Sequence, residues 1–173
     1  MAQPAPVEQR STSRRVAIDM VAILVAFAVA GVACGFLWEH IWTAPTGAAY
    51  QHKWFLDGRG LSEDFSGTGL YALIAAAAGL VLGLVLTLVF VNDEVASLVA
   101  IIVGAVLAAY LMWVVGAALG PPDPHTIART ADDLEPIPAD LSVHGKSAWL
   151  AFPLGALVSA AAVYFLYPRR SQP

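Results

Sequence analysis

Residues 67–119 read GTGLYALIAAAAGLVLGLVLTLVFVNDEVASLVAIIVGAVLAAYLMWVVGAAL, and the only charged residues in that stretch are the adjacent Asp93 and Glu94. On either side of Asn92-Asp93-Glu94 lies an apolar run, about 67–91 before it and 95–119 after it. A bilayer hydrocarbon core of ~30 Å is crossed by about 20 helical residues at ~1.5 Å rise each, and both runs exceed that length. Unpaired backbone groups are not tolerated in hydrocarbon, which leaves helices or closed barrels. The runs are apolar throughout, with no alternation of period two, and this selects helices. The stretch therefore predicts two membrane spans joined by a tight turn, an antiparallel hairpin.

Two further runs flank this pair, at about 16–38 and 148–167. The expected fold is all-α, an integral membrane four-helix bundle. Its predicted loops are 39–66 and 120–147, and its short tails are 1–15 and 168–173. Composition agrees: 58% of residues are hydrophobic and 13% are charged, about half the charged share of an average soluble domain. Expected helix ends are Asp64 or Ser66 ahead of the second span, Ser147 ahead of the fourth, and Gly120-Pro121-Pro122 after the third. Pro153 falls in the first turns of the fourth helix, where a missing N–H costs least. The third loop, rich in proline, reads as extended with a short helical turn around Thr126 to Leu134. Neither loop is long enough for a soluble domain, but together they suffice for a small cap.

Charge predicts sidedness. Arg10, Arg14 and Arg15 lie in the first tail and Arg169 and Arg170 in the last, so five of nine basic residues fall on the side shared by both termini. By the positive-inside rule that side is cytoplasmic. The loops, with nine of the thirteen acidic residues and all four histidines, are then extracytoplasmic. Trp38, Trp42 and Trp149 are expected at the outer interface, with Trp113 near it, and Tyr164 and Tyr167 at the inner one. Asp19, four residues after Arg15, suits an ion pair at the inner edge. Val32-Ala33-Cys34 only loosely matches a lipoprotein cleavage site, because Gly31 stands where a larger aliphatic residue is expected, and the lone Cys34 reads as a packing residue.

The spans contain no Asp, Glu, Lys, Arg or His between Met20 and Trp38, Thr68 and Val91, Val95 and Leu119, or Ala148 and Tyr167. Ion-coupled transporters and intramembrane proteases place ionisable groups at membrane depth, so both classes are disfavoured. Small residues recur four apart: Gly31 with Gly35; Ala75, Gly79 and Gly83; Gly104 with Ala108; Gly116 with Gly120; Gly155 with Ser159. Such spacing lets helix backbones approach. It nominates Gly31, Gly35, Gly79, Gly83, Gly104, Gly116 and Gly155 as helix-packing positions, within the bundle or toward another membrane protein.

Among the loops, Glu39-His40, His52, Asp123-Pro124-His125 and His144 raise the question of a metal. Zinc sites need three or four converging ligands, usually announced by spacing such as HExxH, and no such motif is present. Ser62, Ser66, His144 and Asp140 could be assembled into a hydrolase set, but no nucleophile-elbow sequence surrounds either serine. Gly58-Arg59-Gly60 is too short for a phosphate loop. Trp54-Phe55-Leu56 is an apolar knot expected to dip into headgroups or pack under the third loop. A net charge of −4 without a basic cluster gives no sign of nucleic-acid binding. No cofactor or catalytic residue is assigned.

Gly35-Phe36-Leu37-Trp38 closing the first span, Ala44-Pro45-Thr46-Gly47 beyond it, and Asp64-Phe65-Ser66-Gly67 leading into the second form an ordered series. The acidic turn, the Gly116 helix end and Pro153-Leu154-Gly155-Ala156 complete it. Over about Val16 to Tyr167 this series resembles an uncharacterised family of four-span membrane proteins from actinobacteria, a domain of unknown function. The resemblance implies a plasma-membrane location and four helices, and brings no activity or ligand. The expected function is that of a non-enzymatic accessory or scaffold component of a membrane or envelope complex, surrounded by membrane lipids and engaging a membrane- or envelope-protein partner. The alternative is a lipid- or small-molecule-binding or transport protein acting as an oligomer.

Overall fold

A computed structural model of the chain describes residues 6–56, 58–90 and 93–166, with side chains described for 13–56, 65–90 and 93–166. Arg169, Arg170 and Tyr167 lie outside the described residues, as do Asn92 and the side chains of Arg10, Arg59, Ser62 and Asp64. In chain order the elements are α1 (Pro6–Ile41), β1 (Thr46–Tyr50), β2 (Lys53–Phe55), α2 (Gly58–Val89), α3 (Glu94–Leu119), α4 (Pro124–Ile127), β3 (Pro136–Pro138), a 3-10 turn (Lys146–Leu150) and α5 (Ala151–Leu166). Four helices are long and apolar enough to cross a membrane, in the segments Ser13–Ile41, Phe65–Val89, Glu94–Ile127 and Lys146–Leu166. The chain is a multi-pass membrane protein with a helical-bundle fold and a minor three-stranded sheet.

Helix ends differ from expectation in informative ways. α2 starts at Gly58, so Asp64 and Ser66 lie inside it and are not its caps, and the first loop shrinks to about residues 42–57. Charged residues end an apolar run at the membrane edge, but they do not end a helix. Ser147 lies within the 3-10 turn and gives it no side-chain cap. Gly120 does close α3, its N–H bonding to Gly116 O. Asp93, read above only as part of a linker, caps the start of α3 by accepting from Ala96 N–H at 2.9 Å. Asp93→Ala should destabilise the bundle by about 1 kcal/mol, whereas Asp93→Asn should retain most of the cap. Thermal melts of the two variants in one detergent check this, and equal melting temperatures would contradict it.

Packing departs further from the expected hairpin. Although α2 and α3 are consecutive, they touch only slightly; the intimate pairs are α1 with α3 and α2 with α5. A Cβ on Gly31 would lie 2.6 Å from Ala108 O, and one on Gly35 would lie 2.8 Å from Met112 O. These partners advance together along the chain, so α1 and α3 run parallel. Gly104 and Gly116 of α3 receive the rings of Phe27 and Trp38 from α1. In the second pair, Gly79 rests on the backbone of Phe152 and Ala156, and Gly155 rests on that of Ala76 and Leu80. Gly83 packs on Ala156 and Ser159. All seven glycines nominated from sequence thus face another helix of the same chain. Such close approach gains dispersion contacts where lipid supplies no hydrophobic drive between helices.

The α2/α5 contacts are reciprocal, as a two-fold axis would place them. Positions 76 apart correspond in α2 and α5, and positions 77 apart, such as Gly31 and Ala108, face one another in α1 and α3. The chain therefore consists of two helix–loop–helix halves lying side by side, and the order around the bundle is α1-α3-α5-α2. Two hydroxyls within the spans bond back to their own helix: Thr87 donates to Gly83 O at 2.6 Å and Ser159 to Ala156 O at 3.0 Å.

Candidate functional site

At the end of the bundle opposite the termini, the two loops join in one cap. β1 pairs antiparallel with β2 (Ala48 opposite Phe55, Ala49 opposite Trp54, Tyr50 opposite Lys53). On its other side β1 pairs with β3 from the third loop (Thr46 opposite Pro138, Gly47 opposite Ile137). The prolines of β3 are tolerated because it is an edge strand. Gly47 is required where it stands: a Cβ there would meet the Trp54 indole and Phe55 O.

A small core underlies the sheet, made of Ala49, Ala128 and Ile137, with Trp54 packed against it. Trp54 donates its indole N–H to Ile137 O at 3.2 Å and meets His125 edge-on, with centroids 5.4 Å apart. The Trp54-Phe55-Leu56 knot thus sends its tryptophan under the third loop. His125 is placed by α4, whose cap is Asp123; that carboxylate accepts from Thr126 Oγ1 at 2.8 Å and His125 N–H at 2.9 Å. The cap is tied down where His144 N–H bonds to Thr68 Oγ1 of α2 at 2.9 Å and where Leu141 packs on Gly120.

The tip of the cap carries backbone strain. Gln51 and His52, the two-residue turn between β1 and β2, have φ of 49° and 60°, and Leu134 has φ of 70°. This is the left-handed region, which costs a residue with a side chain about 1–2 kcal/mol; Asn-Gly is the usual choice in such a turn. All three are exposed and close in space. Asp133 Oδ1 accepts Gln51 N–H at 2.8 Å, and Leu134 N–H bonds to Ala49 O at 2.7 Å. Around them Tyr50 is 51% exposed and Leu134 76%, an unusual exposure for a leucine held in a strained conformation. Sequence reasoning missed this tip because no Gly, Asn or Asp stands at those three positions to signal a left-handed backbone.

The chain shows no significant match to any known protein family, curated protein or solved structure. The site is therefore read from its own residues.

The four histidines are distributed across the cap end. His40 ends α1, His52 is in the strained turn, His125 lies on Trp54, and His144 lies near Phe65 with centroids 6.0 Å apart. Among the described residues no three His, Cys, Asp or Glu side chains come together as metal ligands. Beneath the cap runs an aromatic layer drawn from all four spans. Trp38 meets Tyr71 at 5.1 Å, Tyr71 meets Trp149 at 6.5 Å, Trp149 meets Trp113 at 5.4 Å, and Trp113 meets Tyr110 at 6.0 Å. Trp38, expected at the interface, is fully buried, and its indole donates to Gly67 O at 2.9 Å. Trp42 does lie at the rim, partly buried against Gly67 of α2. Its indole nitrogen is buried with no acceptor among the described residues.

Proposed function

We propose that this protein is a non-catalytic accessory or scaffold component of a membrane complex, and that the tip of its cap docks a membrane- or envelope-protein partner. The observation carrying this reading is the convergence of Gln51, His52 and Leu134, each in a left-handed conformation unfavourable to it, at one exposed point beside Tyr50. Strain held by surrounding hydrogen bonds concentrates where surfaces act, because it fixes side chains in directions a relaxed loop would not keep. The core glycine stripes are spent inside the bundle, so the partner is sought at the cap and not along the helices. The same reading places the chain in the plasma membrane with both termini cytoplasmic, on the strength of the arginines at its two ends. It also keeps the resemblance to the four-span actinobacterial family as part of the proposal.

The double substitution Gln51→Asn with His52→Gly installs the preferred turn pair. It should leave the cap folded and at least as stable, while a stoichiometric partner that co-purifies from the native membrane with the wild type is lost. Retention of that partner in equal amount, with the fold intact, would overturn the reading.

A further inference from the structure

The pairing of α1 with α3 and of α2 with α5 leaves the α1–α2 seam poorly filled. A furrow of about 410 Å³ runs along it, lined almost wholly by apolar side chains that include Cys34, Leu37, Leu73, Ala77, Ala78 and Val81. At Leu73 it continues into a cleft of about 580 Å³ nearer the cap, where Trp42, Thr43 and Ser66 contribute polar atoms. The lining thus passes from polar at the cap end to apolar at membrane depth. From this gradient we infer that the seam is a phospholipid site, holding one acyl chain in the furrow with the glycerol-ester region at Trp42, Thr43 and Ser66.

The other half of the molecule provides an internal control. In the corresponding α3–α5 seam, the rings of Trp113 and Trp149 meet across it with centroids 5.4 Å apart. Their counterparts by the repeat offset are Phe36 and Leu73. Phe36 is 54% exposed and Leu73 is 69% exposed, its side chain forming a wall of the open furrow. Small residues at Cys34, Ala77 and Ala78 keep the rest of it open.

Size selects the occupant. From Gly69 to Leu82, α2 spans about 20 Å, close to the ~15 Å of one hydrocarbon leaflet plus its ester layer. A helix about 10 Å across would need roughly 1,600 Å³ over that length, more than the 580 Å³ cleft and 410 Å³ furrow hold together, so a helix of a second copy does not fit within them. The polar end supplies hydroxyl and indole groups and no described charge, which suits ester oxygens. Trp42 Nε1 lacks an acceptor at this rim. The indole N–H is closed off by the protein in this conformation and meets an ester carbonyl in the cleft once the Trp42 ring turns toward it, and the site assigns that acceptor to it.

The test uses the full chain reconstituted in nanodiscs of phosphatidylethanolamine and phosphatidylglycerol, then released into mild detergent for native mass spectrometry. Wild type should retain one phospholipid per chain. Leu73→Trp copies the α3–α5 seam, and Ala77→Phe fills the furrow lower down. Each should reduce retention at least tenfold with an unchanged melting profile, whereas Val158→Phe, on another exposed face, should leave it unchanged. Equal retention in all four proteins would overturn the site. So would loss of a dimer, in place of a lipid, in the two furrow variants. If either furrow variant fails to fold, Trp42→Phe decides: it keeps the ring and removes the donor, so the expected result is weaker retention at equal stability, and unchanged retention counts against the assignment. The outcome is independent of whether the cap tip binds a partner.

Discussion

Gly79→Leu should dissociate the α2/α5 pair and leave the protein aggregated or unfolded on extraction, with Gly83→Leu close behind. The atom nearest a new side chain at Gly79 is the backbone carbonyl of Phe152; at Gly83 the Ala156 backbone lies at 2.6 Å, beside the Ser159 hydroxyl. Overpacking a core costs about 1–3 kcal/mol when flexible side chains can yield. Here a helix must move, so about 3 kcal/mol or more is expected. Gly69 supplies the opposite sign in the same helix. A Cβ there meets nothing within 4 Å, so Gly69→Ala should stabilise by about 0.5–1 kcal/mol through reduced unfolded-state entropy. Thermal scans followed by size exclusion check both, and equal behaviour of the two positions would refute the close packing of α2 on α5.

Trp38→Ala should be the most damaging aromatic truncation, at about 3–5 kcal/mol. The ring is fully buried, lies across Gly116, meets Tyr71 edge-on, and donates to Gly67 O near the foot of the cap. Its loss opens a cavity and orphans contacts to two helices at once. Tyr71→Phe should cost much less, about 1 kcal/mol. It forfeits only the bond from its hydroxyl to Ala109 O at 2.8 Å and keeps the ring in place. Melting temperatures of Trp38→Ala and Tyr71→Phe in the same detergent should therefore fall in that order, and a reversed order would contradict the aromatic layer as a structural element.

The spans were legible because hydrocarbon imposes a simple rule, about 20 apolar helical residues, and the sequence around Asp93-Glu94 obeys it on both sides. The partners of each span were not. Small residues at Gly31, Gly79 and Gly155 announce that backbones approach, but spacing four apart is the same for every helix and carries no address. Chain proximity favoured α2 beside α3, and the packing prefers parallel partners from opposite halves. The start of α2 was hidden because Glu63 and Asp64 end the apolar run without ending the helix. The cap was foreseen as a possibility of size only. β1 and β3 are short, β3 is two-thirds proline, and the turn at Gln51-His52 lacks the Asn-Gly signature that marks a hairpin. The strained tip follows from hydrogen bonds between distant segments, Asp133 to Gln51 and Leu134 to Ala49, which no local pattern encodes.

The docking role proposed for the cap requires it to lie outside the membrane, accessible to an envelope partner, with the termini on the other side. Thiol labelling with a membrane-impermeant maleimide tests this directly, using Leu134→Cys and Ser13→Cys, each combined with Cys34→Ala. Leu134 is on the exposed cap tip, and Ser13 is exposed near the opposite end of α1. Labelling is expected for Leu134→Cys in intact cells and for Ser13→Cys only after permeabilisation. Labelling of Ser13→Cys in intact cells, with Leu134→Cys protected, would invert the topology and contradict the proposed function of the cap.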